Sequence, residues 1–219
     1  MKESYVIFPQ FKLISVSQCL TGKMTGIPAV TSSMLCNDNC RRLSTIHGSV
    51  CEKCYTRKYL SARPNAERCY RDNTNLLSSS LIPNKQLPFI NAALCRLESF
   101  GDIVNHTHLQ NYINLIKKNN HCTFSLFTKN YTMVLDYFKT HKQPRNLSII
   151  ISSLMLNSPH DITPFIQIGL KNLKVFTVYT RKYADKNGVI INCGKNRCIA
   201  CQRCFKKNKA PIFISELLK

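Results

Sequence analysis

The chain has 219 residues, 44% of them hydrophobic, so it is long enough to bury an ordinary core without disulfide bridges. Its 31 Lys and Arg residues outnumber its 11 Asp and Glu residues, which gives a net charge of +20. Residues 1–18 contain no apolar run that would serve as a signal peptide, and no later stretch is long enough to cross a membrane. We therefore expect a cytoplasmic protein with reduced cysteines, which disfavours a secreted disulfide scaffold.

The predicted elements begin with a weak strand at Leu13–Ser17 and a helix around Ala66–Leu77. Beyond them, apolar residues three and four positions apart indicate helices, and short β-rich runs indicate strands. These patterns predict a strand at Ala92–Glu98, a helix at His106–Lys118, a strand at Cys122–Phe127, a helix at Tyr131–His141 and strands at Leu147–Ser152 and Lys174–Tyr179, with Phe165–Leu170 ambiguous. The alternation predicts a parallel sheet with right-handed crossovers in one α/β domain over residues 1–219.

Eight of the 12 cysteines form two clusters near opposite ends of the chain. The clusters have the spacings C-x3-C-x10-C-x2-C and C-x4-C-x2-C-x2-C, and their members are Cys36, Cys40, Cys51 and Cys54, then Cys193, Cys198, Cys201 and Cys204. Thiolates this close in sequence indicate metal binding. The two-residue gaps of the second cluster favour a 4Fe–4S cluster, and a closed zinc site is the alternative. Alternatively, the second cluster supplies the fourth thiolate of a metal centre held by Cys40, Cys51 and Cys54.

Positive charge concentrates around both cysteine clusters. Residues 41–71 carry many Lys and Arg but only Glu52 and Glu67 as acids, and residues 181–209 carry only Asp185. Nearby cations stabilise thiolates or an anionic metal cluster, and they also bind phosphates. Stabilising the thiolates needs only a few positive charges, which does not account for a net charge of +20. Nucleic acid is therefore the leading partner, with a solvated basic surface as the alternative.

Polar side chains gather where the predicted strands end, which is where α/β sheets carry their chemistry. These residues are Ser99, Asp102, Thr128, Lys129, Ser152, Ser153, Tyr179, Thr180 and Arg181. Both cysteine clusters also follow predicted strands. The topology therefore predicts that the clusters meet at one edge of the sheet.

Several motifs occur in order along most of the chain. They are Thr21-Gly22-Lys23, Cys40, the run from Cys51 to Tyr55, the run from Arg96 to Asp102, the run from Phe127 to Asn130, Asn192-Cys193-Gly194, and the triplet Cys198, Cys201 and Cys204. In these motifs the sequence resembles the phage gene product 88 family. The resemblance implies a phage or prophage context, and hence the cytoplasm of a bacterial host, but no particular activity.

A broader resemblance begins at Cys40, Cys51 and Cys54, which precede a helix, a strand and the turn Gly101-Asp102. In this order the sequence is similar to radical SAM enzymes, in which three cysteines hold a 4Fe–4S cluster on a partial (β/α) barrel. The resemblance implies a barrel-like parallel sheet with two cysteine-rich metal-binding arms, at about residues 36–54 and 193–204, and S-adenosylmethionine held at Gly101 and Asp102. The cysteine spacing departs from the usual pattern, so cluster binding is better supported than cofactor cleavage.

Two functional hypotheses follow. In the first, the protein is a radical-SAM-like or redox iron–sulfur enzyme, with Asp102 and Lys129 as catalytic residues acting on nucleic acid or another anionic substrate. In the second, it is a zinc-stabilised, non-catalytic nucleic-acid-binding protein with structural thiolate sites. The α/β core is larger than a zinc-held module needs, which favours the first. Cys36 is the expected surplus member of its cluster.

Overall fold

A parallel sheet of six strands forms the centre of the molecule. The computed structural model describes residues 13–19, 22–194 and 196–218, so Thr21 and Lys195 lie outside the described residues. The strands are β1 Ala29–Val30, β2 Leu94–Leu97, β3 Thr123–Thr128, β4 Leu147–Ser152, β5 Leu173–Tyr179 and β6 Ile212–Leu217. Each strand pairs in parallel with the next in sequence, giving the order β1-β2-β3-β4-β5-β6. This open, consecutively wound sheet agrees with the predicted α/β fold class.

Helices occupy most of the connections between strands. They are α1 Asp38–Leu43, α2 Tyr55–Ser61, α3 Pro64–Ser79, α4 His106–Lys118, α5 Tyr131–Thr140, α6 Thr163–Gln167, α7 Arg181–Lys186 and α8 Cys198–Cys201. The start of α3 has Pro64 in its first turn, where a missing N–H costs no helical hydrogen bond. The start of α4 is capped by the Asn105 side chain, which accepts a bond from the His108 N–H at 2.9 Å. No helix among the described residues is long and apolar enough to cross a membrane.

The two faces of the sheet have different roles. Successive side chains of a strand point to opposite faces, so every second residue lies on the same face of the sheet. One set packs with α3, α4, α5 and α6 in the main core and includes Cys95, Leu97, Phe124, Leu126, Ile149, Ile151 and Val175. The alternating set includes Arg96 on β2 and Ser125 and Phe127 on β3, and it lines a cavity. The face opposite α3, α4, α5 and α6 therefore carries the candidate site.

The long elements confirm the predictions from periodicity. The predicted helix at His106–Lys118 and the predicted strand at Leu147–Ser152 have the same bounds in the structure. The ambiguous stretch Phe165–Leu170 overlaps a short helix, α6.

The predicted strand at Leu13–Ser17 is wrong. Only Ser17 forms a single antiparallel bridge, with Ala29, and the first parallel strand is β1. The reason is that the Asn73 side chain takes the backbone bonds of Ser15. It accepts from the Ser15 N–H at 2.8 Å and donates to the Ser15 carbonyl at 2.9 Å. Those groups are not available for pairing with another strand.

Candidate metal centre

Both cysteine clusters line the same cavity. Its volume is about 380 Å³, within the range of small-molecule sites. Its thiols are Cys40, Cys51, Cys54, Cys193, Cys198, Cys201 and Cys204. Its charged residues are Lys23, Lys53, Arg96, Glu98, Asp102, Lys129, Arg203 and Glu216. The two cysteine arms thus line one cavity against a face of the sheet.

The first cysteine arm is held over the end of β4. The Val50 N–H donates to the Leu154 carbonyl at 2.8 Å, and Ser49 forms an antiparallel bridge with Met155. The start of α1, which carries Cys40, is capped by Asn37, whose side chain also donates to the Asp102 carbonyl at 2.8 Å. The arm therefore contacts the ends of both β4 and β2.

Cys40 and Cys51 lie in an environment that keeps their protons on sulfur. Burial raises the pKa of the Cys40 thiol far above its ordinary value, and the nearby Asp102 carboxylate and Cys51 raise it further. Burial also raises the pKa of Cys51, while the Lys129 ammonium acts in the opposite direction on both thiols. A bound metal cation would displace these protons, because thiolates are the binding form.

Cys36 is separated from the other cysteines of its arm. It ends a short 3-10 helix at Met34–Cys36 and does not line the cavity. Its electrostatic neighbour is Arg71 of α3, whose pKa rises chiefly through the ion pair with Glu67 and in part through Cys36. Cys36 therefore faces different groups from Cys40, Cys51 and Cys54, the three cysteines of this arm that line the cavity.

The second cysteine arm is tied to the segment before β1. The Cys198 N–H donates to the Lys23 carbonyl at 2.7 Å. The Lys23 ammonium in turn pairs with Glu216 of β6 at 2.6 Å and lies 3.8 Å from the Cys193 sulfur. These contacts connect the two edges of the open sheet, because Lys23 precedes β1 and Glu216 belongs to β6.

The four thiols of this arm influence one another. Burial raises the pKa of Cys204 to about 12, Arg96 opposes the rise, and Cys193, Cys198 and Cys201 add to it. Burial likewise raises the pKa of Cys193 and Cys198, against the positive charge of Lys23. Cys193, Cys198 and Cys204 are therefore partly buried thiols with two cations, Lys23 and Arg96, beside them.

Asp102 is a buried connection between strands. Its carboxylate accepts bonds from the Thr128 hydroxyl at 2.6 Å, the Ile103 N–H at 2.8 Å and the Lys129 N–H at 2.7 Å. Burial raises its pKa to about 6 despite these bonds. These three bonds position the carboxylate between the ends of β2 and β3 at the cavity wall.

Gly101 allows the turn after β2 to lie against the segment after β1. A Cβ at this position would lie 2.3 Å from the Ser32 hydroxyl and 2.6 Å from the Ser32 carbonyl. Only glycine permits this close approach. The cavity also includes Lys129, whose ammonium lies 3.2 Å from the Ser152 hydroxyl. Thus Gly101, Asp102, Lys129 and Ser152, which the sequence places at strand ends, come together in the structure.

Glu98 is a cavity residue that sequence reasoning missed. It follows β2 with a positive φ of 59° and is 2% exposed. Its carboxylate accepts bonds from the Tyr112 hydroxyl at 2.6 Å and the Ser32 hydroxyl at 2.9 Å, and lies 3.3 Å from His108 Nε2. Although burial opposes it, these partners lower the pKa of Glu98. The sequence feature that could have identified Glu98 is an acidic residue at the end of an apolar strand.

The seven cavity thiols are the donor type that metal–thiolate centres use. Four thiolates around one zinc ion would lie about 3.8 Å apart, since each Zn–S bond is about 2.3 Å. Among the described residues, no group of three or more His, Cys, Asp or Glu side chains is placed to hold a metal ion. The thiols of an iron–sulfur cluster bind different iron atoms, so a cluster accepts a wider arrangement than a single ion does.

The remaining predicted residues lie elsewhere. Cys95 and Cys122 are buried in the main core. Ser153 and the residues 179–181 at the end of β5 do not line the cavity. The Ser153 hydroxyl instead bonds with Thr177 on the neighbouring strand at 2.9 Å.

An open, all-parallel sheet with thiols from two chain segments around one cavity defines a cysteine-rich α/β protein. The family model of gene product 88 matches residues 10–211. The chain therefore belongs to the gene product 88 family of phage proteins. No curated protein and no solved structure matches it.

Proposed function

We propose that this protein is a radical-SAM-like iron–sulfur enzyme whose cavity binds an anionic substrate. The proposal rests on one observation, the convergence of seven cysteine thiols from two chain segments on one cavity. Metal-stabilised binding modules need no such cavity, since their closed sites hold the fold together. Here the thiols share the cavity with acidic and basic side chains and with open volume.

In this proposal the cluster is held by Cys40, Cys51 and Cys54. These residues lie on the arm that contacts the carboxyl ends of β2 and β4. A 4Fe–4S cluster would supply one-electron chemistry there. The Lys129 ammonium stabilises the thiolate forms of Cys40 and Cys51. Asp102 fixes the backbone of Lys129, so it keeps that ammonium at the cavity wall.

The second set, Cys193, Cys198, Cys201 and Cys204, holds a further centre or supplies a thiolate to the first. The positive charge of Arg96 opposes the rise that burial causes in the pKa of Cys198 and Cys204, Lys23 does the same for Cys198, and both charges favour the metal-binding form. Zinc is the alternative metal for this set. A nucleic-acid partner is proposed from the net charge of +20 and predicts an affinity that falls steeply with salt.

The test is anaerobic purification followed by an absorption spectrum and assays of iron, sulfide and zinc. A brown protein with matched iron and sulfide supports the proposal, and S-adenosylmethionine binding is then measured on that sample. The double variant Cys51→Ser/Cys54→Ser should lose iron, whereas Cys69→Ser, which replaces a half-buried thiol outside the cavity, should retain it. A colourless protein with zinc and no sulfide would contradict the enzyme proposal and favour the structural-zinc alternative.

A further inference from the structure

Arg96 lies on the cavity wall and pairs with no carboxylate among the described residues. It is half-buried on β2, and its guanidinium carbon lies 3.8 Å from the centre of the Phe127 ring. Its Nε is buried without a hydrogen-bond partner, and its guanidinium makes no hydrogen bond or ion pair with any described residue. Taking a charged group partly out of water is costly unless an opposite charge or hydrogen bonds compensate it. Among the described residues, no carboxylate compensates this charge.

Ser125 provides a second, independent sign of a missing ligand. It is the direct partner of Arg96 in the parallel pairing of β2 and β3, so the two residues are neighbours on one face. It is fully buried, at 0% exposure, lines the cavity, and its hydroxyl has no hydrogen-bond partner among the described residues. Buried hydroxyls are normally hydrogen-bonded, and this one is able to donate to an oxyanion.

We propose that Arg96 and Ser125 form a subsite for an oxyanion, a phosphate or carboxylate group of a small ligand, at the base of the cavity. The planar guanidinium offers paired donors that match two oxygens, and stacking on Phe127 holds its plane. Lys23 is not part of the subsite, because its ammonium is already paired with Glu216. If the protein is the proposed enzyme, the oxyanion belongs to its substrate. Only this assignment to a substrate rests on the proposed function.

The competing partner for Arg96 is the second cysteine arm itself. Burial raises the pKa of Cys198 and Cys204, and Arg96 lies near enough to both thiols to oppose that rise. An anionic thiolate cluster on that arm would then compensate the charge and leave no room for a ligand. The two cases differ in whether metal loading removes oxyanion binding.

The experiment is calorimetric titration of the full chain at low salt, first with inorganic phosphate and then with acetate. It uses the protein both as purified anaerobically and after metal removal. We expect Arg96→Gln to weaken binding of the better oxyanion by about 10-fold or more, since a charge-assisted bidentate contact is lost. Arg96→Lys and Ser125→Ala should each weaken it by a smaller factor. The matched control is Arg145→Gln, which removes the same charge from an exposed position outside the cavity.

Three outcomes would overturn the subsite. They are equal weakening in Arg145→Gln and Arg96→Gln, no binding of either anion, or binding that disappears when metal is present. Thermal unfolding of each variant shows whether it is folded, and Ser125→Ala and Arg96→Lys decide the question if Arg96→Gln is not. Iron and sulfide assays on the same samples separate the proposals, because specific oxyanion binding without iron would contradict the cluster and leave the subsite intact.

Discussion

The side chain of Asp102 is hydrogen-bonded to the backbone of Lys129. The Lys129 N–H donates to Asp102 Oδ2 at 2.7 Å, although the two residues follow different strands. The Thr128 hydroxyl bonds to the other carboxylate oxygen at 2.6 Å. The acid that the sequence places at a catalytic position therefore fixes the end of β3 and with it the lysine that faces the cavity.

Replacing Asp102 by Asn should destabilise the protein by about 1–3 kcal/mol, because an amide NH₂ would face the Lys129 N–H and leave a buried donor unpaired. Chemical denaturation measures the change. The control is Asp136→Asn on the exposed side of α5, where an effect within about 0.5 kcal/mol is expected. Equal stability of Asp102→Asn and the native chain would contradict the positioning role.

Gly101→Ala should also destabilise the protein, by about 1–3 kcal/mol, since its Cβ would overlap Ser32 and the backbone must shift. The shift would move the turn that carries Asp102. Ser99→Ala on the same turn is the control, because the Ser99 hydroxyl has no hydrogen-bond partner among the described residues. If thermal unfolding shows the two variants to be equally stable, the close approach is not a constraint on the turn.

The long elements were predictable because local sequence determines them. The helix α4 presents Leu109, Tyr112, Ile113 and Ile116 to the core, and its apolar spacing identifies it without tertiary information. In contrast, β1 has only two residues, which is too short for a periodic signal. The edge strand β6 leaves Phe213 55% exposed, so its side chains do not follow a simple buried pattern.

The sequence predicts many of the residues that line the cavity, but not the contacts that those residues make. Spacing identifies the cysteines, and parallel topology predicts that their arms meet. The role of Glu98 depends on Tyr112 and His108 of α4, and the sequence gives no sign of this long-range pairing. Likewise, the absence of a hydrogen-bond partner for Arg96 Nε among the described residues is evident only from the three-dimensional structure.

The two positions Cys36 and Cys40 should differ in their effect on metal content. Cys40→Ser should lower the iron and sulfide content, because Cys40 lines the cavity and a hydroxyl is a poorer ligand for iron than a thiolate. Cys36→Ser should leave both unchanged, since Cys36 lies outside the cavity near Arg71. Metal analysis of anaerobically purified variants provides the measurement. Loss of iron in Cys36→Ser to the same extent would show that this cysteine is a ligand after all.

Lys174 offers a test of how the second arm is attached to the sheet. It lies on β5 with 0% exposure, and its ammonium bonds to Asn208 at 2.8 Å and to the Ser148 hydroxyl of β4 at 3.2 Å. Burial lowers its pKa from 10.5 to about 8, because the charged form loses hydration. The segment after the second cysteine cluster is thus held by a lysine whose charge depends on pH.

Between pH 8 and pH 10.5 the unfolded chain holds the Lys174 proton while the folded chain has released it. The contribution of Lys174 to stability must therefore rise with pH across this window, by about 3 kcal/mol in total. We expect the stability difference between the native chain and Lys174→Met to shift in favour of the native chain by that amount. Denaturant titrations under anaerobic reducing conditions at several pH values measure it. The exposed Lys142→Met is the matched control for loss of a lysine side chain, and a flat difference for Lys174→Met would show that its buried ammonium keeps an ordinary pKa.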